Sequence, residues 1–334
     1  MVFYSKSMDR VLLVRTDRVG DLVLATPCIQ AVKEAWPSCE VTFLASGYGA
    51  PVLENNSYLD RLLVYWGESA GELAETLKRY AFDAVVCLFP TFTLSVAFFK
   101  AGIPVRVASG FRWYQWLYNK RTYLRRSQAL KKEWEYNLDL LRLLGWQGEY
   151  LRPRVYLSPQ EEEWARDVAR KEGWPEEFVA LYPGGGREMR WPLHHFTVLA
   201  ELLRERGLAV VVFWGPGEED LAGALRKAGA FVAPPTNLRQ LMALISLAKA
   251  MVANNTGPMH IGAALGLPLV QLFDPRRACN PARWGYCGTG KRVLLPPVPR
   301  CGKCTTKCEY YPCMEGIEPQ EVLEALEEVL SGKG

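Results

Sequence analysis

The sequence predicts an α/β protein built from two open, mostly parallel sheets in series. Three observations carry this reading. Short apolar runs alternate with segments of helical period in both halves of the chain. A stretch rich in Gly, Pro and polar residues, 145–159, separates the halves as a linker would. Glycine-bearing turns repeatedly follow the apolar runs, as strand-to-helix crossovers require. With 334 residues the chain is long enough for two cores, and the expected domains are 1–150 and 151–334.

In the first half, Arg10 to Arg15 reads as a strand. Asp21 to Trp36 reads as one helix, with Leu22, Ala25, Ile29 and Val32 on its apolar face and Pro37 ending it. Strands follow at 40–45, 61–65, 83–88 and 104–108, with helices at 69–79 and 91–101. After Ala108 the pattern loosens into GFRWYQWLYNKRTYLRR, and a helix at 131–144 closes this half. An amphipathic helix, EEEWARDVARKEG, opens the second half. Strands are expected at 178–182, 208–214, 231–233, 250–254 and 267–273, and helices at 194–206, 218–228, 238–247 and 319–330. The final helix is expected to pack back on the N-terminal domain. The natural ligand site of such a pair of sheets is a central cleft at the C-terminal ends of strands.

Composition narrows the class. Apolar residues make up 49% and charged residues 23%, a globular balance without signs of disorder. The longest apolar stretch, 84–99, is interrupted by Pro90 and is too short to cross a bilayer. The opening MVFYSKSMDR has no apolar segment of a secretory signal, so a cytoplasmic location is expected. Net charge is only +4, but between Arg106 and Arg154 eleven Lys or Arg face four Asp or Glu. Such an excess suits an anionic partner or a negatively charged membrane face, or simply a solvated basic surface.

Four motifs bear on chemistry. In RTDRVGDLVLATP, after the first strand, Gly20 permits a tight turn, and Asp21 is either a helix N-cap or a general base aimed at a hydroxyl; Asp17 is the lesser alternative. In LYPGGGREMRWP, Gly184 and Gly185 allow close backbone approach to a ligand, with Arg187 and Arg190 as cationic donors. It is neither a Walker A loop nor GxGxxG. In FWGPGEED, Glu218 and Glu219 suit ribose hydroxyls or the helix dipole. In ANNTGPMHIGAALG, a helix starting at Thr256 and Gly257 aims unpaired N–H groups and its positive dipole end outward, which fits a phosphate. Asn255 precedes it, and His260 is expected one turn in, facing the same mouth.

Taken together, RVLLVRTDRVGDLVLATP, YPGGGREMRWPLHHF, NNTGPMHIGAALGLPLVQLF, NPARWG and the late cysteines followed by CMEGI resemble glycosyltransferase family 9, the lipopolysaccharide heptosyltransferases, nearly from end to end. The resemblance implies a GT-B enzyme: two Rossmann-like domains with parallel sheets facing a central cleft, the N-terminal one receiving the acceptor and the C-terminal one the nucleotide sugar. It also implies inverting transfer, most often of heptose from ADP-heptose, to a lipopolysaccharide-core-like or other cell-envelope glycan. The family's catalytic aspartate falls on Asp21, and its phosphate-binding turn on Thr256 and Gly257, near His260. The chain departs from the family pattern at Asn255, where many relatives are acidic, and at Met189, where they often carry Lys. Arg187 or Arg190 is then expected to supply the charge.

No catalytic metal and no cofactor beyond the nucleotide-sugar donor are expected. Cys301, Cys304, Cys308 and Cys313 have the spacing CxxCxxxCxxxxC, a tight knuckle that would take a structural zinc or remain as thiols. Cys28, Cys39 and Cys87 read as core thiols. An anionic glycolipid or glycan acceptor gives the stretch FRWYQWLYNKRTYLRR a role at the inner membrane face, where Trp, Tyr and Arg suit the interface. Nucleic acid is not an expected partner. The competing classes are a nucleotide-sugar epimerase of similar architecture and a binding module built on the cysteine knuckle.

Overall fold

A computed structural model describes residues 8–185 and 189–332. The chain divides into two compact units, Met1–Tyr156 and Leu157–Gly334, a boundary that falls within the 145–159 stretch.

The first unit contains β1 (Arg10–Arg15), α1 (Val19–Val23), α2 (Pro27–Ala35), β2 (Glu40–Ser46), β3 (Arg61–Tyr65), α3 (Ala70–Lys78), β4 (Ala84–Cys87), α4 (Phe92–Lys100), β5 (Val105–Ser109), β6 (Lys120–Thr122) and α5 (Glu133–Leu141). Its six strands are all parallel, in the order β3-β2-β1-β4-β5-β6. β1 is central, with Val11 opposite both Val41 and Ala84. Because sheet growth changes direction at β1 and β4, the loop after β1 sits where such sheets bind ligands. Leu12, Val14, Val85, Leu94 and Phe98 build one core layer. Burial pushes the thiols of Cys28 and Cys87 up to about 12 and that of Cys39 up to about 11, so these three are inert packing groups.

Two expectations change here. The segment 21–36 is not one helix but two, because Pro27 has no N–H to continue the first. The chain tightens through Ala25 N–H to Leu22 O and Thr26 N–H to Val23 O, and Pro27 then starts α2 at a position that tolerates it. β6, a three-residue edge strand of Lys, Arg and Thr beside Val107–Ser109, was not expected, since it has no apolar alternation to announce it.

The second unit contains α6 (Pro159–Lys171), β7 (Phe178–Tyr182), α7 (Leu193–Glu205), β8 (Ala209–Val212), α8 (Glu219–Lys227), β9 (Phe231–Val232), α9 (Leu238–Ile245), β10 (Ala250–Asn254), α10 (Gly257–Ala264), β11 (Leu269–Leu272), α11 (Pro281–Trp284), β12 (Lys291–Leu294) and α12 (Pro319–Leu330). Its sheet is again parallel and six-stranded, in the order β12-β11-β10-β7-β8-β9. The direction change lies between β7 and β10. The loops after β7, β8 and β10, three adjacent strands, therefore leave from the same edge. β12, a half-buried edge strand, was not expected either. In the final helix, Val322, Leu323, Leu326 and Val329 join Phe196, Leu199 and Val270 in one core of this unit. Among the described residues no helix is long and apolar enough to cross a membrane.

Candidate active site

In the first unit the site is organised by Arg15, the last residue of β1 and almost fully buried. Its Nε and Nη2 donate to Asp17 at 2.9 and 3.1 Å, and Nη2 also donates to Asp21 Oδ1 at 2.6 Å. Nη1 donates to Glu133 Oε1 and Asn137 Oδ1, both at 3.1 Å. Burial opposes the guanidinium charge, but Asp21, Asp17 and Glu133 outweigh it and raise the Arg15 pKa above its ordinary value. Glu133 is itself fully buried and also pairs with Arg126. Asn137 Nδ2 donates to Leu24 O at 3.0 Å, which ties α5 to the turn between α1 and α2.

Asp21 is therefore not an N-cap. The residue before α1 is Arg18, which makes no side-chain cap bond, and Asp21 stands in the helix's first turn with its side chain 15% exposed. One carboxylate oxygen is held by Arg15.

In the second unit, the loop after β7 is fastened from two sides. Asn254, at the end of β10 and 3% exposed, accepts from Trp191 N–H at 3.0 Å and donates through Nδ2 to Pro183 O at 2.9 Å and Gly184 O at 3.3 Å. Glu218 accepts from Gly185 N–H at 2.8 Å, Gly215 N–H at 3.0 Å and Tyr182 hydroxyl at 3.0 Å. A side chain at position 184 would collide with this carboxylate, 2.0 Å from Oε2, and one at 185 would lie 2.7 Å from Thr256 Cγ2. Gly185 also has φ +152, at the edge of the range that glycine adopts readily. The glycines thus let the loop lie directly against Glu218 on one side and the start of α10 on the other.

Thr256 precedes α10 in extended conformation, φ −144 and ψ 173, and makes no side-chain cap bond. Its Oγ1 is buried and, among the described residues, has no hydrogen-bond partner. Leaving a hydroxyl in that state costs roughly 1–3 kcal/mol, which a ligand oxygen would recover. Gly257 opens α10, whose first-turn N–H groups and dipole favour an anion. Asn255 is bound through its backbone N–H to Leu272 O at 3.0 Å, beside the turn.

The structure brings Gly184, Gly185, Thr256 and Gly257 together and places the other expected residues differently. Glu219 accepts a 3.4 Å contact from Gly217 N–H within its own turn, whereas Glu218 joins the loops. His260 is 4% exposed, its Nδ1 3.3 Å from the Tyr286 hydroxyl, so it belongs to the packed wall behind the turn rather than its mouth. Burial pushes Tyr286 above its usual range, keeping that hydroxyl protonated. Gln271 holds Tyr286 by two backbone bonds of 2.8 Å. Arg190 is exposed, and Arg187 lies outside the described residues.

The model of glycosyltransferase family 9 (heptosyltransferase) matches residues 70–313. The chain belongs to glycosyltransferase family 9. Lipopolysaccharide heptosyltransferase 2 of Salmonella typhimurium is 26% identical over 357 residues, covering 97% of this chain and 99% of that protein. Among solved structures, a family 9 glycosyl transferase from Veillonella parvula superposes with TM-score 0.82 at 20% identity, covering 97% and 98% of the two chains. The E. coli ADP-heptose lipopolysaccharide heptosyltransferase II superposes with TM-score 0.80 at 22% identity, covering 97% and 99%. The fold is accordingly that of the GT-B heptosyltransferases, and a family 9 member of this kind is a glycosyltransferase, not an epimerase or a cysteine-knuckle binding module.

Arg15, Asn254 and Glu218 hold these loops in place, and motif reading passed over them or left them undecided. Arg15 reads as an edge residue of its strand, and its partners Glu133 and Asn137 lie 118 and 122 positions away. Asn254 was legible as the start of the polar turn after a strand, but not as the residue that fastens the loop after β7.

Proposed function

We propose that this glycosyltransferase moves heptose from ADP-heptose, with inversion, onto a lipopolysaccharide-core-like or other cell-envelope glycan, the second unit holding the donor and the first the acceptor. The observation that carries the reading is the buried Thr256 hydroxyl, unpartnered among the described residues, beside Gly185 at the start of α10. The names of the relatives support the choice of sugar and nucleotide.

The groups present suit one sequence of events. The Asp21 carboxylate takes the proton of the acceptor hydroxyl as that oxygen attacks the anomeric carbon. The bond from that carbon to the diphosphate breaks, and ADP departs with the electron pair. Thr256, the first turn of α10 and the cation at Arg190 or Arg187 meet the growing negative charge, each contributing about 3 kcal/mol in a site closed to water. Asn255 adds no like charge beside a diphosphate. Glu218 acts through the loop it holds. Thermal unfolding of the full chain with ADP, UDP and GDP tests the donor assignment. ADP is expected to raise the midpoint most, and Thr256→Val to remove most of that rise; equal responses to all three nucleotides would contradict the assignment.

The aromatic and basic segment supports an anionic glycolipid acceptor reached at the inner membrane face. Phe111, Trp113, Trp116 and Tyr123 are 56%, 73%, 62% and 58% exposed, and Trp113 stacks on exposed Phe92 at 5.0 Å. Arg112, Arg121 and Arg125 are exposed among them. Interfacial aromatics beside arginine fit a head-group layer. Sedimentation with anionic vesicles is expected to fall several-fold in a Trp113→Ala, Trp116→Ala variant; unchanged binding, or none by the unaltered chain, would sink this part.

A further inference from the structure

Between β12 and α12 the chain runs through residues 295–318 with one 3₁₀ turn, Cys313–Gly316, as its regular structure. A connection of that length in a compact unit needs something to hold it. Cys301, Cys304, Cys308 and Cys313 all fall in it, all as free thiols and all partly buried. The four line one cavity of about 20 Å³ together with Tyr310 and Tyr311, room for a single water-sized occupant.

We propose that these four cysteines form a closed four-thiolate site for one divalent cation of the zinc class, which staples the connection to the second unit. The first and last ligands are already anchored. Cys301 pairs with Arg276 in an isolated parallel bridge, its N–H donating to Pro275 O at 3.1 Å and its carbonyl accepting from Arg277 N–H at 2.9 Å. Cys313 packs on the unit's main core. The turn it opens is fixed by Glu315 Oε2, 3.0 and 3.4 Å from Nε2 of His194 and His195, and Ile317 O accepts from Trp191 Nε1 at 2.7 Å. Cys304 and Cys308 ride on the segment between, where Cys308 N–H bonds to Thr305 O at 3.1 Å and Tyr311 N–H to Cys308 O at 3.0 Å.

Among the described residues, the group whose ligand atoms already lie within 4.8 Å of one another is His194, His195 and Glu315. Their shared contacts to one carboxylate oxygen, Glu315 Oε2, account for that closeness. No three of the four sulfurs lie that close, so binding has to draw Cys304 and Cys308 toward the two anchored ends. As each sulfur bonds the cation, its proton passes to solvent; four thiolates and one divalent ion leave a net charge of −2, which Lys303 on the cavity wall partly offsets. No electron is transferred. Four protein ligands leave no open position, so the role is structural.

The test uses the full chain, reduced and freed of metal with a chelator, then titrated with Co(II) and with Zn(II). Thiolate-to-cobalt charge-transfer absorption with strong tetrahedral bands, saturating at about one ion per chain, is expected. Zinc should displace the cobalt and protect the four cysteines from alkylation while exposed Cys287 still reacts. A Cys304→Ser, Cys308→Ser variant should lose both signals and Cys287→Ser neither. If the double variant does not fold, the unaltered chain still decides. Zinc or iron at about one per chain in the protein as isolated supports the site and names its resident ion. Absence of the cobalt–thiolate absorption, alkylation indifferent to zinc, or recovery of the four as disulfides would each overturn it.

Discussion

Arg15 does more to shape the loop after β1 than any residue in the motif around it. One guanidinium holds Asp17, Asp21, Glu133 and Asn137, so the loop after β1, the start of α1 and α5 share a single charged centre. Removing one partner of a buried ion group leaves the others uncompensated, at a cost of about 3–5 kcal/mol. Arg15→Met is therefore expected to destabilise the first unit by about that amount in urea unfolding. A loss below about 1 kcal/mol, the level of a surface ion pair, would mean that Arg15 is not the hub. The local motif made Asp21 visible, because glycine and aspartate after a strand have a meaning within a few residues. It did not show Arg15 as its holder, since that depends on a helix more than a hundred positions away. In the second unit the same limit separates Glu218 from Glu219: neighbours in sequence, they differ in which way the helix start turns them.

At the scale of elements, periodicity announced the buried strands and amphipathic helices, and chain edges escaped it. β1, β7 and β10 are apolar runs buried along most or all of their length, whereas β6 and β12 carry Lys and Arg and are defined by the neighbour they pair with. The break at Pro27 was legible in principle and was overridden by the continuous apolar face on either side. Elements are also joined by charge. Glu161, in the first turn of α6, takes both Arg239 Nε and Nη2 at 2.6 Å, fastening α6 to α9. Arg239, with help from Ser158, lowers the Glu161 pKa from its ordinary 4.5 to about 2. A carboxylate depressed in the folded state contributes stability above its unfolded pKa and loses it as pH falls through the folded value. The contribution is thus expected in full above about pH 4.5 and gone near pH 2. Glu161→Gln should cost about 1 kcal/mol at neutral pH and flatten the acid limb of the stability profile between those limits. An acid limb identical to that of the unaltered chain would show that the pair contributes nothing.

At the scale of the whole molecule, two parallel sheets each place a functional loop at their direction change. In the first, that loop leads into α1, whose first turn holds Asp21; in the second, the loops after β7 and β10 bring Gly184, Gly185 and Thr256 together. The repeated strand-and-helix rhythm made this architecture legible from the chain alone, and the family resemblance supplied what rhythm does not, the reaction. The proposed function requires a donor site whose integrity does not depend on Asp21, and a base whose loss slows transfer. Transfer of heptose from ADP-heptose to an inner-core acceptor, followed with Asp21→Asn beside the unaltered enzyme, tests it most directly. The account predicts a rate lower by about 10²–10⁴ in the variant, with the thermal shift produced by ADP unchanged; transfer by Asp21→Asn at the unaltered rate would contradict it.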